Sequence, residues 1–326
     1  MHHAPCIIVL EPLVWGCWHR EWFLLFNAHF YIKNSPSSEA YSMNAIATPV
    51  QSGWSASLAL EFERRGPRTA LVRNRHDGPL RVQRPFYPEA NGQAHVYILH
   101  PPGGIVAGDS LAISSTVREH AHALVTTPSA GRVYCSNRQR QLQTQQVTMA
   151  VEPGAFGEWL PQENIVFNAA QAINHTHIQL QSGARFIGWE ITCLGRPASQ
   201  EWFEAGSLLQ HFEITLDGLP WLVERSRFDG GSPMLQARWG LHGYPALATL
   251  VCTLEDEHTE QGLRDLCGQH RGEHLSIEVT QLPGLVVMRA QAQQAAPIKN
   301  AFFAAWRLLR RSLQNTEAVA PRIWFT

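Results

Sequence analysis

From Trp54 onward, apolar and polar residues alternate, which is the pattern of a β-strand with one buried face. Trp54, Ala56 and Leu58 share one face of the first run, and Ser55 and Ser57 lie on the other. Successive side chains of a strand point to opposite faces of a sheet, so this alternation predicts a half-buried strand. Similar runs, joined by short connectors rich in Gly, Pro or Asn, recur at 70–75, 96–99, 111–118, 123–127, 141–152, 156–160, 175–181, 185–194, 208–217, 221–228, 248–254, 275–281 and 285–291.

Helix signals are few and lie late in the chain. Residues 259–268 carry apolar residues at helical spacing before a glycine. Residues 297–313 predict a clearer helix near the C-terminus, with Pro297 suited to the first helical position and arginines in the last turns to complement the dipole. Its apolar stripe, which we expect to pack on the sheet, comprises Ile298, Phe302, Trp306, Leu309 and Leu313. Many short strands with two or so helices predict a mainly β fold.

Composition excludes several classes of function. The formal net charge is −1, which leaves no electrostatic footprint for nucleic acid or an anionic membrane. Charged residues make up 16% of the chain, against about 25% in ordinary soluble domains, so we expect partner proteins to cover some of the surface. The six scattered cysteines form no C-x-x-C pair and predict reduced thiols in a cytoplasmic protein.

The N-terminal segment differs from the rest of the chain. Residues 6–32 are apolar and aromatic, but charged residues and a proline cut the run into pieces shorter than the roughly 18–20 residues that span a bilayer. Met43 stands just before the first well-patterned strand. We therefore predict that residues 1–42 are an extension from an upstream start, and that 43–326 form a single β domain.

A corner between two predicted strands is the most distinctive local feature. Residues 100–110 read HPPGGIVAGDS, in which two prolines cannot donate to a ladder and three glycines permit positive φ or close backbone approach. The glycine spacing imitates a phosphate-binding loop, but Asp109 replaces the lysine and would repel phosphates. A rigid corner with a nearby acid favours a cation instead.

Carboxylates and histidines supply the candidate chemistry. Glu190 and Glu224 each lie inside an apolar run, where an unpaired carboxylate costs several kcal/mol if dry. Each such acid must face solvent, pair with an arginine such as Arg196 or Arg225, or line a wet passage. The strand-spaced pairs His120/His122 and His175/His177 suit Zn or Ni, but lack a third ligand at motif spacing.

Five pieces of the sequence, in order, resemble the family of urease accessory proteins called UreD (also UreH). They are VQRPFYPE at 82–89, HPPGGIVAGD at 100–109, EWLPQE at 158–163, LGRP at 194–197 and PRIW at 321–324. The resemblance spans about 54–326. It implies a layered helical β structure with a small number of helices.

The same resemblance implies a urease maturation chaperone without catalytic activity of its own. It would bind UreF directly and UreG through UreF, contact apo-urease, and form a dimer of heteromeric complexes in the cytoplasm. No cofactor would be tightly bound. Nickel in transit would pass the positions of Asp109, Glu190 and Glu224. At the position of Glu190 another member of the family has an aspartate, whose side chain is shorter.

Two other functions remain open from the residues alone. Glu158 and Glu163 are a possible acid pair for a β-structured glycoside hydrolase, which needs two carboxylates about 5–9 Å apart. Five residues apart on a strand, they would lie on opposite faces unless Pro161 breaks it. The other alternative is an adaptor protein without a metal path. No G-x-S-x-G or H-E-x-x-H motif is present.

Overall fold

The structure is a computed structural model that describes residues 53–254 and 256–325, together with the backbone of Val9–Leu10. The extension predicted at 1–42, apart from that short piece of backbone, and the start predicted at Met43 lie outside the described residues. In the part of the chain that the structure describes, no helix is long and apolar enough to cross a membrane.

Strands dominate the described chain, as the alternation predicts. The strands are β1 (Val9–Leu10), β2 (Ser55–Arg65), β3 (Arg68–Asp77), β4 (Arg81–Val82), β5 (Ala94–Leu99), β6 (Ser110–Val117), β7 (His122–Thr126), β8 (Gly131–Val133), β9 (Gln143–Val151), β10 (Phe156–Trp159), β11 (Asn164–Val166), β12 (Gln171–Leu180), β13 (Arg185–Leu194), β14 (Ser207–Leu216), β15 (Leu219–Asp229), β16 (Ala246–Thr253), β17 (Leu275–Leu282) and β18 (Leu285–Ala292). The helices are α1 (Pro233–Gln236), α2 (Glu257–His270) and α3 (Ala295–Gln314). The fold is therefore mainly β, with one helix near the C-terminus.

The strands form two sheets. The first sheet has the order β1-β15-β14-β12-β9-β6-β2-β3, and the second has the order β17-β18-β16-β13-β10-β7-β5-β4, with β11 paired to β13 and β8 paired to β11. From β5 to β14 the chain passes back and forth between the sheets, so most neighbours in this part are parallel. Parallel neighbours need a crossover connection. Here the crossover is a strand of the opposite sheet, which winds the chain into a layered helix of strands.

Two apolar layers hold these elements together. One lies between the two sheets, and the other lies between the second sheet and helices α2 and α3. Strand β13 is buried along nearly its whole length because it has an apolar layer on each side. The predicted stripe of α3 does pack on the sheet, through Ile298, Phe302, Trp306 and Leu309.

Several local predictions need correction. Trp54 precedes β2 and is 62% exposed, so it does not share the buried face of Ala56 and Leu58, and its backbone N–H donates to Asp109 in the corner. Helix α3 begins at Ala295, so Pro297 is its third residue, still among the first four positions whose N–H has no helical acceptor. His120 has a φ of 57° in the turn before β7, so it does not share a strand face with His122. Arg310, one of the arginines predicted in the last turns to complement the dipole, is fully buried and binds two acids from other parts of the chain.

Candidate functional site

Polar residues line part of the space between the two sheets, where an apolar interior is the norm. In the first sheet, register partners on β9, β12 and β14 form one row: Gln145, Asn174 and Gln210. In the second sheet, register partners on β13, β16 and β18 form the facing row: Glu190, Thr249 and Arg289. We call these six residues, together with Thr176, Thr192 and Glu224, the polar seam.

Hydrogen bonds join the two rows of the polar seam. Gln145 Nε2 donates to Asn174 Oδ1 at 3.3 Å within the first sheet. Across the sheets, Asn174 Nδ2 donates to Glu190 Oε1 at 3.3 Å. Thr192 Oγ1 donates to Gln210 Oε1 at 3.1 Å. These bonds and those made by Glu190 connect Gln145, Asn174, Thr176, Glu190, Thr192 and Gln210 into one network, as buried polar groups require if they are not to remain unsatisfied.

Glu190 is the buried acid at the centre of the seam. Its residue is 6% exposed, and its carboxyl accepts hydrogen bonds from Thr176 Oγ1, Asn174 Nδ2 and, at 2.9 Å, Gln210 Nε2. These donors are neutral. Burial raises the pKa of Glu190 to about 7, against the opposing effect of the three hydrogen bonds, and the neighbouring Glu224 carboxylate adds to the rise. The group therefore exchanges a proton near neutral pH.

Glu224 is the second acid of the seam. It lies on β15 of the first sheet and forms an ion pair with Arg289. Its Oε1 accepts from Arg289 Nη2, and its Oε2 accepts from Thr249 Oγ1 at 3.2 Å. Thr249 is also the register partner of Glu190, so the structure brings the two acids together. Neither arginine suggested by the sequence makes this pair: Arg196 binds Glu201, and Arg225 is exposed on the opposite face of β15.

Two adjoining cavities lead from the corner toward Glu190. The larger has a volume of about 270 Å³ and is bordered by the HPPGG corner, including His100. The smaller has a volume of about 60 Å³ and reaches Glu190 and Thr192, which leaves room for water beside the carboxyl. Both are lined by Ile113, Thr127, Gly131, Gln145 and Asn164.

Asp109 has a different position from the other two predicted site residues. Its Oδ1 accepts the N–H of Trp54 at 2.8 Å, and its Oδ2 accepts the N–H of Val106 at 3.0 Å. Asp109 is not among the residues that line either cavity. Its carboxylate opposes the effect of burial, which lowers the pKa of His100 beside the larger cavity. Asp109 shapes the corner, and the structure does not bring it together with Glu190 and Glu224.

The predicted pair His175/His177 lies away from the seam. His175 and His177 stack on β12 with ring centroids 6.3 Å apart, on the face opposite Asn174 and Thr176, beside His211 of β14. Burial lowers the pKa of His175. Within residues 53–254 and 256–325, no group of three His, Cys, Asp or Glu side chains is arranged to hold a metal ion.

The proposed hydrolase pair does not form a cleft. Glu158 is fully buried between the second sheet and α3, where it accepts from Arg310 Nη1 and Trp306 Nε1, both at 2.6 Å. Glu163 instead binds Lys299 at 2.9 Å. A carboxylate that is ion-paired and has no solvent access cannot protonate a sugar oxygen, so nothing in this arrangement favours glycoside hydrolysis.

A buried ion network was missed at the level of sequence. Arg310 also binds Glu89, which contacts His95 Nε2 at 2.8 Å. Both acids lie within the family pieces quoted above, at 82–89 and 158–163. The signal was therefore present in the motifs, but their common partner lies 221 residues from Glu89 and 152 from Glu158.

The raised pKa of Glu190 predicts a pH dependence of stability. The pKa in the folded chain, about 7, exceeds the ordinary value of 4.5, so the stabilisation is complete below pH 4.5 and is lost as the pH rises through 7. We expect this group to lower the free energy of unfolding by about 3 kcal/mol over that range. Urea unfolding at pH 5 and pH 8 measures it. The variant Glu190→Gln should lack this loss, whereas Glu213→Gln, on the outer face of β14, should retain it.

Comparison with known proteins identifies the family. The family model of the UreD urease accessory protein matches residues 55–325. The urease accessory protein UreD of Hahella chejuensis is 37% identical over 307 residues, covering 91% of this chain and 98% of that protein. Those of Pseudomonas fluorescens and Azoarcus sp. are 44% and 40% identical, covering 86% and 87% of this chain and 98% and 100% of their own lengths. The chain therefore belongs to the UreD family of urease accessory proteins.

Proposed function

We propose that this chain is a urease maturation chaperone whose polar seam conducts nickel toward the urease active site. Family membership supports the role in urease maturation. The observation that supports conduction is the seam itself, in which Glu190 lies buried with neutral donors only and lines the smaller of the two adjoining cavities, the larger of which is bordered by the corner. An anionic group in a polar, hydrated passage attracts a divalent cation.

The chemistry of the seam suits transfer better than storage. Its oxygen ligands are two carboxylates, amide carbonyls and hydroxyls, without the Cys or His cage that would hold nickel tightly. Conduction requires binding that is favourable enough for entry and weak enough for exit. The proton on Glu190 contributes to this balance, because nickel must displace it before the carboxylate can bind.

The partners follow from the role. We propose that the chain binds UreF directly, reaches the GTPase UreG through UreF, and presents the seam to apo-urease in the cytoplasm. The nickel released from UreG would then enter the chain and leave it for urease. The chain itself would carry out no catalysis, which agrees with the names of its relatives as accessory proteins.

The test is the nickel content of urease made with and without this chain. In cells carrying a complete urease operon, we expect deletion of the chain to abolish most of the nickel content and activity of the purified urease. Supply of the chain from a plasmid should restore both, which controls for effects on the rest of the operon. Fully loaded urease in the deletion strain would contradict a role in maturation.

The adaptor alternative is separated by a second measurement in the same cells. An adaptor without a metal path would still be needed for assembly, but substitutions inside the seam would not change nickel transfer. Co-purification with UreF, measured alongside nickel content, distinguishes the two. Seam variants that assemble normally but transfer less nickel would favour conduction over the adaptor.

A further inference from the structure

Arg289 is a permanent cation inside a passage that we propose for cations. It comes from β18, and its side chain is 23% exposed where it binds Glu224. Its guanidinium donates a hydrogen bond to Oε1 of that carboxylate, and the Thr249 hydroxyl donates one to Oε2. An arginine does not lose its proton in a protein, so this charge is present at every working pH.

The charges of the seam show what Arg289 prevents. Without it, Glu190 and Glu224 would be two acids on either side of Thr249, with the amide groups of Asn174 and Gln210 near Glu190. Two carboxylates with additional oxygen ligands are a typical set for a divalent cation. Such a set would retain nickel and stop its passage.

We infer that Arg289 is a built-in counter-cation that competes with nickel for Glu224 and so keeps the polar seam from trapping its cargo. This inference rests on the proposed function. Nickel reaching Glu224 displaces the guanidinium, which has solvent access through its exposed part, and the returning guanidinium helps release the metal. A competitor tethered next to the site acts at a high effective concentration. Arg289 therefore lowers the affinity for nickel and speeds its exit.

Nickel binding to the purified full-length chain tests the competition directly. In calorimetric titrations with NiCl₂, we expect Arg289→Met to bind nickel at least about tenfold more tightly than the wild type, since the half-buried carboxylate of Glu224 gains a metal partner in place of its lost cation. The double variant Arg289→Met/Glu224→Gln should return to wild-type affinity. Arg289→Lys, which retains the charge, should also stay close to it.

The matched control is Arg225→Met. Arg225 is the exposed neighbour of Glu224 on the opposite face of β15, so its loss changes the net charge equally without opening the seam. If Arg289→Met binds nickel no more tightly than Arg225→Met, the inference is wrong. Arg289→Gln, which can hydrogen-bond to Glu224 without a charge, provides the same test if the methionine variant does not fold.

Transfer to urease separates this inference from the proposed function. At limiting nickel we expect Arg289→Met to retain nickel and to load urease several-fold more slowly than the wild type. If Arg289→Met binds nickel tightly but urease acquires nickel without the chain, the competition between Arg289 and nickel is supported and the proposed function is wrong. If Glu190→Gln blocks transfer but Arg289→Met behaves as the wild type in both assays, conduction stands and the role of Arg289 fails.

Discussion

Replacement of Arg310 by methionine is expected to lower the free energy of unfolding by about 3–5 kcal/mol. Arg310 is fully buried and is the shared cation of Glu158 and Glu89, which are themselves buried. Methionine fills a similar volume but takes the guanidinium away from both carboxylates, which leaves Glu158 with the neutral donors of Gln93 and Trp306 and Glu89 with His95. Urea unfolding followed by tryptophan fluorescence measures the loss, and poor accumulation of the variant in cells would accompany it.

Arg307→Met is the matched control for this prediction. Arg307 lies on the same helix, one turn earlier, with its side chain in solvent. Its replacement should change the stability by less than about 0.5 kcal/mol. A double variant, Arg310→Met/Glu158→Gln, should regain part of the lost stability because it removes the buried carboxylate that Arg310→Met leaves with neutral donors only. Equal stabilities for Arg310→Met and Arg307→Met would show that the ion network contributes little.

Replacement of Glu190 by glutamine is expected to reduce nickel transfer to urease by about tenfold or more, if a single carboxylate ligand contributes about 1.4 kcal/mol or more to metal passage. Glutamine has nearly the same shape, and the amides of Asn174 and Gln210 can reorient to bond with it. It cannot become an anion, so the centre of the seam loses its charge. The measurement is the nickel content of urease activated at limiting nickel.

The control for this second prediction is Glu213→Gln, which removes a carboxylate from the outer face of the first sheet. We expect normal nickel transfer with that variant and normal assembly with UreF for both. If Glu190→Gln transfers nickel as well as the control, the seam is a structural network and its charge has no part in conduction. If Glu190→Gln also fails to assemble, the role of the residue is in the fold.

The sequence alone determined the local structure and the family. Alternation over 55–65 and its successors is a property of neighbouring residues, so β2 and most later strands could be predicted without knowledge of their partners. The apolar stripe on α3 could be predicted for the same reason. The motifs at 100–109 and 158–163 identified the family because five such pieces occur in order.

The tertiary structure alone decided which of these residues meet. In a strand, a polar residue that faces a second sheet has the same pattern as one that faces water, so Asn174 and Gln210 could not be distinguished from surface residues. Arg310 looked like a terminal helix arginine because its two partners come from strands and loops far away in the chain. The periodicity of the sequence shows only that a residue is polar and on which face of its strand it lies. Whether that face meets water, a carboxylate or a cation depends on the pairing of the sheets, which is a long-range property of the whole chain.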